Sequence, residues 1–494
     1  MVALELAVVG AYLVLALAVG LVAYRLTENT AEDYYLASRS LGTIVLLFTT
    51  FATLLSAFTF FGGPTLAYNA GPEWILVMGL MDGVLFAVLW YVVGYRQWLV
   101  GRREGYVTLG EMLGDRFGSP GLRVLVAGVS LFWLVPYVML QQRGAGQAVV
   151  GLTDGTVPYW VGAGGITLFM ILYVVASGMR GVAWTDTLQG VFMLVLIWGA
   201  LAWILAVVGG PTAATAALTE SNPEFLALGG GLYSPQFVIG TAVYIAFGVT
   251  MFPQINQRFF AADSEAVLKR TFSLWPVLVL LLFVPAFMLG TWAAGLGVVV
   301  PEGGNVIPAA LREFTPAWFA ALVIAGALAA MMSSSDSMLL SGSSYFTRDV
   351  YEPLVGEADR EALLGRAVVV GFALVAFVLS LTATRSIVEI GNTAFGGFAQ
   401  LAIPVIAALY WPRTTRTGML VAVAGSQAFY VGNLAAVILG LFDGMGAVGA
   451  AYYLGWHPGI PGMLLSLVLV VGVSAVTSRS PGEDAERFAV RRAD

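Results

Sequence analysis

The 494-residue chain contains no cysteine, one histidine, His457, and one lysine, Lys269. The lack of cysteine excludes disulfides, thiol catalysis and thiolate metal sites. A single histidine excludes a zinc site or a proton relay made of several imidazoles. Charged residues are also scarce, at 11% of the chain, against roughly 25% in a typical soluble domain. With no nucleophile–base pair visible either, we expect no enzyme and no soluble globular protein.

Apolar stretches long enough to cross a bilayer, which takes about 20 residues, recur from one end of the chain to the other. They predict an all-α polytopic membrane protein with about 13 transmembrane helices. We assign residues 1–478 to the transmembrane domain and residues 479–494 to a polar tail. The predicted spans are residues 3–23, 42–68, 74–99, 122–151, 157–177, 181–208, 236–256, 271–299, 317–345, 363–383, 387–411, 417–440 and 458–478.

The basic residues are distributed unevenly between the two sides of these spans. If the N-terminus is outside, only Arg143, Arg312 and Arg385 do not fall at inner ends or loops, which leaves 20 of the 23 basic residues inside. Such asymmetry is the positive-inside signal of membrane proteins. It predicts an outer N-terminus and a cytoplasmic C-terminus, and we expect the protein in the plasma membrane of a prokaryote.

Several predicted spans contain residues that interrupt helices. The second contains Gly62-Gly63-Pro64, the seventh contains Pro253 among polar residues, and the eleventh contains glycines around Asn392. Broken helices in corresponding positions of two halves indicate a transporter site. The second and seventh spans are five apart, which predicts two five-helix repeats, about 42–208 and 236–411, with one helix before and two after.

We expect the substrate among the polar and aromatic residues nearest these interruptions, although each of them alone is more typical of packing. Irregular backbone at membrane depth is tolerated where it is buried in protein or lines a cavity. The candidate residues are Thr59, Phe60, Tyr137, Gln141, Thr250, Phe252, Gln254 and Asn392.

The ninth span carries four serines and an aspartate between Ser333 and Ser337. At about 100° per residue, Ala330, Ser334 and Ser337 share one helical stripe, with Ser333 beside it and Asp336 on the flank. Polar groups at this depth usually face a cavity or a partner helix. Neutral oxygens suit a hard monovalent cation. Serines that only bond to their own helix are the alternative.

Five motifs occur along the chain in a recognisable order. They are Ser56-Ala57 with Phe61-Gly62, Gly178–Gln189 (GMRGVAWTDTLQ), Phe252–Phe259 (FPQINQRF), Met332–Ser337 (MSSSDS) and Thr347–Asp349 (TRD). With these motifs the chain resembles the sodium:solute symporters, which include carriers of proline, pantothenate, monocarboxylates and galactose. The resemblance implies a LeuT-type inverted repeat and alternating access. It also implies a sodium ion bound by the carbonyls of Ala52, Leu55 and Ala330 and the hydroxyls of Ser333 and Ser334.

The chain departs from parts of the family pattern. Leu54 stands where the proline carriers have an acidic residue. The lysine and the glutamine of the sugar carriers are missing near Leu281 and Thr59. A hexose is therefore not the expected substrate.

Three charged residues within the spans have open roles. In sugar carriers with two sodium ions, the positions matching Asp186 and Asp336 form a second site, so the pair predicts a second cation site or a proton relay. For Asp186, a charge favoured by the helix N-terminus is the alternative. Arg143 is the one basic residue well inside a span. It either pairs with an acid, reaches outward, or faces an anionic substrate.

Taken together, these features predict a sodium-coupled secondary symporter that imports a small organic solute by alternating access. Arg143 and the missing sugar-carrier residues favour a carboxylate-bearing solute, meaning a monocarboxylate, pantothenate or an amino acid such as proline. The expected partners are this solute, sodium and the lipid bilayer, with no nucleic acid. Since no P-loop is present, ATP is not expected either. A proton-coupled carrier of the same fold, or a membrane sensor or channel that uses it, are the alternatives.

Overall fold

The computed structural model of the chain describes residues 2–24, 30–301, 303–358, 360–441, 453–479, 484 and 488. Within this part the regular structure is helical apart from two isolated β-bridges. The helices are Val2–Tyr24 (α1), Ala31–Leu36 (α2), Thr43–Leu54 (α3), Phe58–Ala70 (α4), Ile75–Glu104 (α5), Leu109–Arg116 (α6), Pro120–Leu152 (α7), Tyr159–Val175 (α8), Gly178–Val208 (α9), Pro211–Ser221 (α10), Pro235–Thr250 (α11), Pro253–Ala261 (α12), Glu265–Gly295 (α13), Val306–Phe314 (α14), Ala317–Val355 (α15), Glu361–Thr382 (α16), Ile387–Tyr410 (α17), Arg416–Ile438 (α18) and Gly459–Val476 (α19).

Among the described residues, ten helices are long and apolar enough to cross a membrane. The two bent pairs, α3 with α4 and α11 with α12, bring the number to twelve. The predicted span at residues 157–177 corresponds to α8, a shorter apolar helix. The helical polytopic architecture is therefore confirmed, while the thirteenth span stays a prediction. Most of the predicted tail, 479–494, lies outside the described residues.

Two helix breaks lie in the second and seventh predicted spans. The chain bends by 61° between α3 and α4 and by 55° between α11 and α12. The second break begins just before Pro253, as predicted. The first lies between Leu54 and Phe58, not at Gly62-Gly63-Pro64 as predicted. The π turn Phe58–Gly62 precedes Pro64, which lies in the first turn of the following α-helical part. Proline is tolerated there because its missing N–H would have no regular partner in the helix.

The predicted interruption around Asn392 is not observed, because α17 is helical throughout Ile387–Tyr410. Its glycines serve close packing instead. A side chain at Gly391 would collide with the ring of Phe58, and one at Gly397 would collide with the indole of Trp133. Small residues at such contacts let neighbouring helices approach closely.

Helix α15 lies at the centre of the molecule and contacts α1, α3, α7, α9 and α16. Nearly all of its side chains between Phe319 and Tyr345 are buried by protein. Gly326 and Gly342 approach the leucines Leu196 and Leu134 of its neighbours. Its polar side chains therefore face other helices and not lipid.

Helix α9 begins at Gly178, whose φ of 57° and ψ of −163° separate it from α8. Glycine adopts this conformation without the strain that a side chain would add, and Tyr34 packs closely against it. This start point places Asp186 about two turns into α9, where it faces Thr49 and Thr53 of α3.

Candidate functional site

The first break brings its backbone carbonyls to the serines of α15. The chain leaves the α3 helix at Leu55, which is extended with φ −79° and ψ 117°. Ser333 Oγ lies 2.8 Å from the Ala52 carbonyl oxygen and 3.0 Å from that of Ala330. Ser334 Oγ lies 2.9 Å from the carbonyl oxygen of Thr53 and 2.6 Å from that of Leu55.

This oxygen cluster contains more acceptors than protons. Its two hydroxyls can donate one proton each, yet they face four carbonyl oxygens. All the residues involved are buried, with exposed fractions of at most 1%. An excess of lone pairs in a buried space attracts a cation, and neutral oxygens suit a monovalent one. The five predicted oxygens lie in two groups, one around each serine hydroxyl, and Thr53 adds a carbonyl that the prediction missed.

A second polar cluster lies on the inner side of this oxygen cluster, where inner means the side that the basic residues predict to be cytoplasmic. Asp186 Oδ2 accepts hydrogen bonds from Thr49 Oγ1 at 2.6 Å and from Thr53 Oγ1 at 3.4 Å. It also forms a 3.3 Å ion pair with the guanidinium of Arg258. Thr53 Oγ1 lies 2.8 Å from Ser337 Oγ. Thr53 therefore belongs to both clusters, through its carbonyl and its hydroxyl.

Arg258 is the residue of this region that the sequence prediction missed. We grouped it with the cytoplasmic basic residues, but the structure buries it in α12 with an exposed fraction of 1%. It follows Gln254 by one helical turn and donates to the carbonyl of that residue at 3.2 Å. Its position one turn after Gln254, just past the second break, was the signal in the sequence.

Asp336 lies close enough to Asp186 for their charges to interact. Both charges also act on the hydroxyl of Tyr12 in α1, which accepts a hydrogen bond from Gln189 Nε2 at 2.7 Å. The structure thus brings the two predicted acids into one region. It differs from the prediction in supplying Asp186 with a protein cation.

An aromatic cluster fills the space between the two breaks. Tyr137 packs against Phe252 and Phe395, with ring centroids 5.0 and 5.4 Å apart. Phe58 meets Phe395 at 5.3 Å. Tyr137 also places its hydroxyl 3.3 Å from Ser56 Oγ in the first break. Phe58 and Phe395 were not among the predicted residues. Aromatic side chains are common in apolar spans, and the sequence does not indicate which residues they contact.

The polar candidates at the breaks are buried, and their hydrogen bonding differs. Gln141 Oε1 accepts from the Ala57 backbone N–H at 2.9 Å. In contrast, neither side-chain atom of Gln254 or of Asn392 has a hydrogen-bond partner among the described residues. Buried amides are normally paired, so these two are suited to a polar ligand. Thr59, Phe60 and Thr250 are also buried beside the breaks.

Arg143 stands apart from the other candidates. Its guanidinium donates to the carbonyl of Ala383 at the outer end of α16, and it lines an outer cavity of about 950 Å³ together with Gln147 and Asn305. No acidic side chain forms an ion pair with it within the part of the chain that the structure describes. Of the predicted substrate residues, Arg143 is the one that the structure places at an outer cavity instead of between the breaks.

The known proteins that this chain resembles are membrane transporters. The family model described as "Sodium:solute symporter family" matches residues 34–425. The sodium/pantothenate symporter of Escherichia coli K12 is 29% identical over 473 residues, which cover 93% of each chain. The sodium/proline symporter of the same organism is 27% identical, with 95% of this chain and 93% of the relative covered.

Two solved structures share the fold. The substrate-bound, outward-open structure of a Na⁺-coupled sialic acid symporter has a TM-score of 0.76, at 20% identity, and covers 96% of this chain and 98% of its own. The nucleobase-cation-symport-1 transporter Mhp1 has a TM-score of 0.53, at 15% identity, and covers 92% and 97%. The predicted LeuT-type helical fold is therefore confirmed.

Proposed function

Because the chain belongs to the sodium:solute symporter family, we propose that it imports a small carboxylate-bearing solute together with sodium by alternating access. The sodium ion binds at Ala52, Leu55, Ala330, Ser333 and Ser334. The solute binds between the two breaks, with the aromatic cluster as its apolar wall. The predicted family, the helical fold and sodium as the coupling ion are confirmed by the comparisons; the substrate class and these sites are our proposal.

One observation carries the proposed coupling: the same short segment takes part in both sites. Ala52 to Leu55 supply carbonyls to the cation cluster. The next two residues, Ser56 and Ala57, contact Tyr137 and Gln141 at the solute site. A sodium ion that fixes this segment therefore also fixes the wall of the solute site. Such shared order gives positive coupling between the two ligands.

The carboxylate preference is supported by chemistry and by the relatives. The amides of Gln254 and Asn392 lack partners in the described structure, and an amide N–H is a suitable donor to a carboxylate oxygen. The two relatives from Escherichia coli are symporters of pantothenate and of proline, and both of these solutes carry a carboxylate. Arg143 forms no ion pair among the described residues, and its positive charge at the outer cavity attracts a carboxylate that enters from outside.

We further propose that the N-terminus is outside and the C-terminus is cytoplasmic, in the plasma membrane of a prokaryote. The uneven distribution of the basic residues supports this orientation. We also propose repeats at about 42–208 and 236–411. The two bent pairs, α3–α4 and α11–α12, begin the respective repeats, which supports this division.

The test is uptake by the purified full-length chain in proteoliposomes. Labelled pantothenate, proline and lactate are offered beside galactose, under an imposed sodium gradient or an imposed proton gradient. We expect sodium-driven uptake of at least one of the carboxylates. Uptake that follows the proton gradient and ignores sodium contradicts the proposed coupling. Sodium-driven uptake of galactose alone contradicts the proposed solute class.

A further inference from the structure

The buried guanidinium of Arg258 is surrounded by oxygens of the kind that bind a metal cation. One of its terminal nitrogens lies 3.3 Å from Asp186 Oδ2, 3.1 Å from Thr49 Oγ1 and 2.5 Å from Ser337 Oγ. Carboxylate and hydroxyl oxygens from three helices, α3, α9 and α15, thus converge on one positive group. Both Asp186 and Arg258 are almost fully buried, so the positive charge of Arg258 compensates the carboxylate locally.

This ion pair lies directly on the cytoplasmic side of the proposed sodium site. Ser337 follows Ser333 and Ser334 by about one turn of α15, towards the cytoplasmic end of that helix. Thr53 joins the two clusters, because its carbonyl faces Ser334 while its hydroxyl faces Asp186 and Ser337. A sodium ion that leaves its site towards the cytoplasm therefore meets the Arg258–Asp186 pair first.

The pair also connects the two proposed repeats. Asp186 belongs to α9 in the first, and Arg258 belongs to α12 in the second. A neighbouring contact within the second repeat, from Gln257 Nε2 to Ser344 Oγ at 3.4 Å, joins α12 to α15. If opening towards the cytoplasm separates α12 from α9, it breaks this ion pair.

We propose that Arg258 is a tethered cation: it occupies the place of a second sodium ion at Asp186 and closes the cytoplasmic exit of the sodium site. This inference rests on the proposed function. It predicts that one sodium ion accompanies each solute molecule. In the opened state Asp186 is free and attracts the departing sodium ion. When the exit closes, Arg258 returns to Asp186 and displaces that ion.

Asp336 is not the carboxylate that pairs with Arg258. It precedes Ser337 in α15, and its charge acts on Tyr12 of α1 as well as on Asp186. With Arg258 in place, its guanidinium pairs with the Asp186 carboxylate. With Arg258 neutralised, two carboxylates would face the same polar region, and we expect them to recruit a second sodium ion.

The experiment measures the sodium-to-solute ratio in proteoliposomes. Solute and sodium gradients are opposed at a clamped membrane voltage, and the gradient at which net flux stops gives the ratio. The solute is whichever labelled carboxylate the wild-type chain transports. We expect a ratio of one for the wild type and for Arg258→Lys, which keeps the positive charge. We expect two for Arg258→Gln, and one again for Arg258→Gln combined with Asp186→Asn.

A wild-type ratio of two, or a ratio of two for Arg258→Lys, overturns the tethered cation. A ratio that stays at one in Arg258→Gln overturns it as well. Should Arg258→Gln fail to fold, Arg258→Met replaces it as the uncharged variant, with the same expected ratio of two. Transport that shows no sodium dependence in the wild type contradicts the proposed function itself, so the two failures are distinguishable. A purely structural ion pair would leave the ratio unchanged in every variant.

Discussion

The two helix breaks have different polar surroundings. At the first, the carbonyls of Ala52, Thr53 and Leu55 each lie within hydrogen-bonding distance of a serine hydroxyl of α15. At the second, the side-chain amide of Gln254 has no partner among the described residues, and the same holds for Asn392 of α17. The carbonyls of the first break are thus held by serine hydroxyls, whereas the second break keeps buried amides suited to a polar ligand.

This difference indicates which contacts provide the binding free energy of each ligand: carbonyl oxygens for the ion and side-chain amides for the solute. Leaving a buried polar group without a partner costs about 1–3 kcal/mol, and a bound solute that pairs with the amides recovers part of this cost. At the first break the two serine hydroxyls carry fewer protons than the four carbonyls that they face, and this excess of acceptors favours a cation.

The largest effect is expected from Asp186→Asn beside the first break. This change leaves the Arg258 guanidinium buried without its counter-charge, and removing one partner of a buried ion pair costs roughly 3–5 kcal/mol. We expect a clear drop in the melting temperature of the protein in detergent. As the control, Asp186→Asn with Arg258→Gln should recover most of the loss. A single variant as stable as the wild type would show that the pair contributes nothing.

Ser334→Ala should weaken sodium binding by about tenfold or more. A hydrogen bond or ligand interaction with a charged group contributes about 1.5–3 kcal/mol, and 1.4 kcal/mol corresponds to tenfold. The measurement is the sodium concentration that gives half-maximal uptake. Ser335→Ala is the matched control, because Ser335 Oγ bonds to the Met331 carbonyl of its own helix at 2.7 Å. Equal sodium dependence in the two variants would refute the assignment.

The third prediction concerns His457, which helps to hold the outer half of the second broken span. Its ring stacks on Tyr244 of α11 with centroids 4.0 Å apart, and burial lowers the pKa of His457 to about 3. The unfolded value is about 6.5. Since the folded pKa is the lower one, the buried neutral ring stabilises the fold fully above about pH 6.5, and this stability is lost as the pH falls towards 3.

The expected size is up to about 1.4 kcal/mol per pH unit, or about 2 kcal/mol between pH 6.5 and pH 5. His457 Nδ1 accepts a hydrogen bond from the Gly459 N–H at 3.1 Å. The variant His457→Asn removes the titrating group and keeps an acceptor for this N–H. Melting temperatures at pH 7 and pH 5 should differ less in the variant than in the wild type. An unchanged difference would mean that other groups cause the loss in acid.

The smallest effect is expected from Gln254→Leu at the second break. We expect solute affinity to fall by about tenfold, as for the loss of one hydrogen bond of about 1–1.5 kcal/mol, while sodium affinity and thermal stability change little. Half-saturation for the solute and for sodium gives both values. Gln97→Leu is the matched control, because Gln97 is a buried amide without a partner among the described residues, but lies near the inner end of α5. If both variants bind solute normally, unpaired amides do not mark the solute site.

Much of the fold and part of the candidate site were predictable from local sequence. The serine stripe of α15 and the break in the seventh span were visible because polar residues in an apolar run stand out. The position of the first break was not, since Gly62-Gly63-Pro64 looked like the stronger helix breaker than Leu55. The π turn of α4 accommodates those residues, and a π turn depends on packing against neighbouring helices.

The sequence by itself determined the helical membrane architecture, the family and sodium as the coupling ion, because apolar run length and contiguous motifs are properties of neighbouring residues. Only the tertiary structure decided that Arg258 is buried against Asp186, that Thr53 joins two polar clusters, and that Arg143 faces an outer cavity. These facts depend on which helices meet, and partners such as Thr53 and Ser337 lie far apart in the chain. The residues of the oxygen cluster at the first break are thus predictable from the sequence. The burial of Arg258 against Asp186 is visible only in the folded chain.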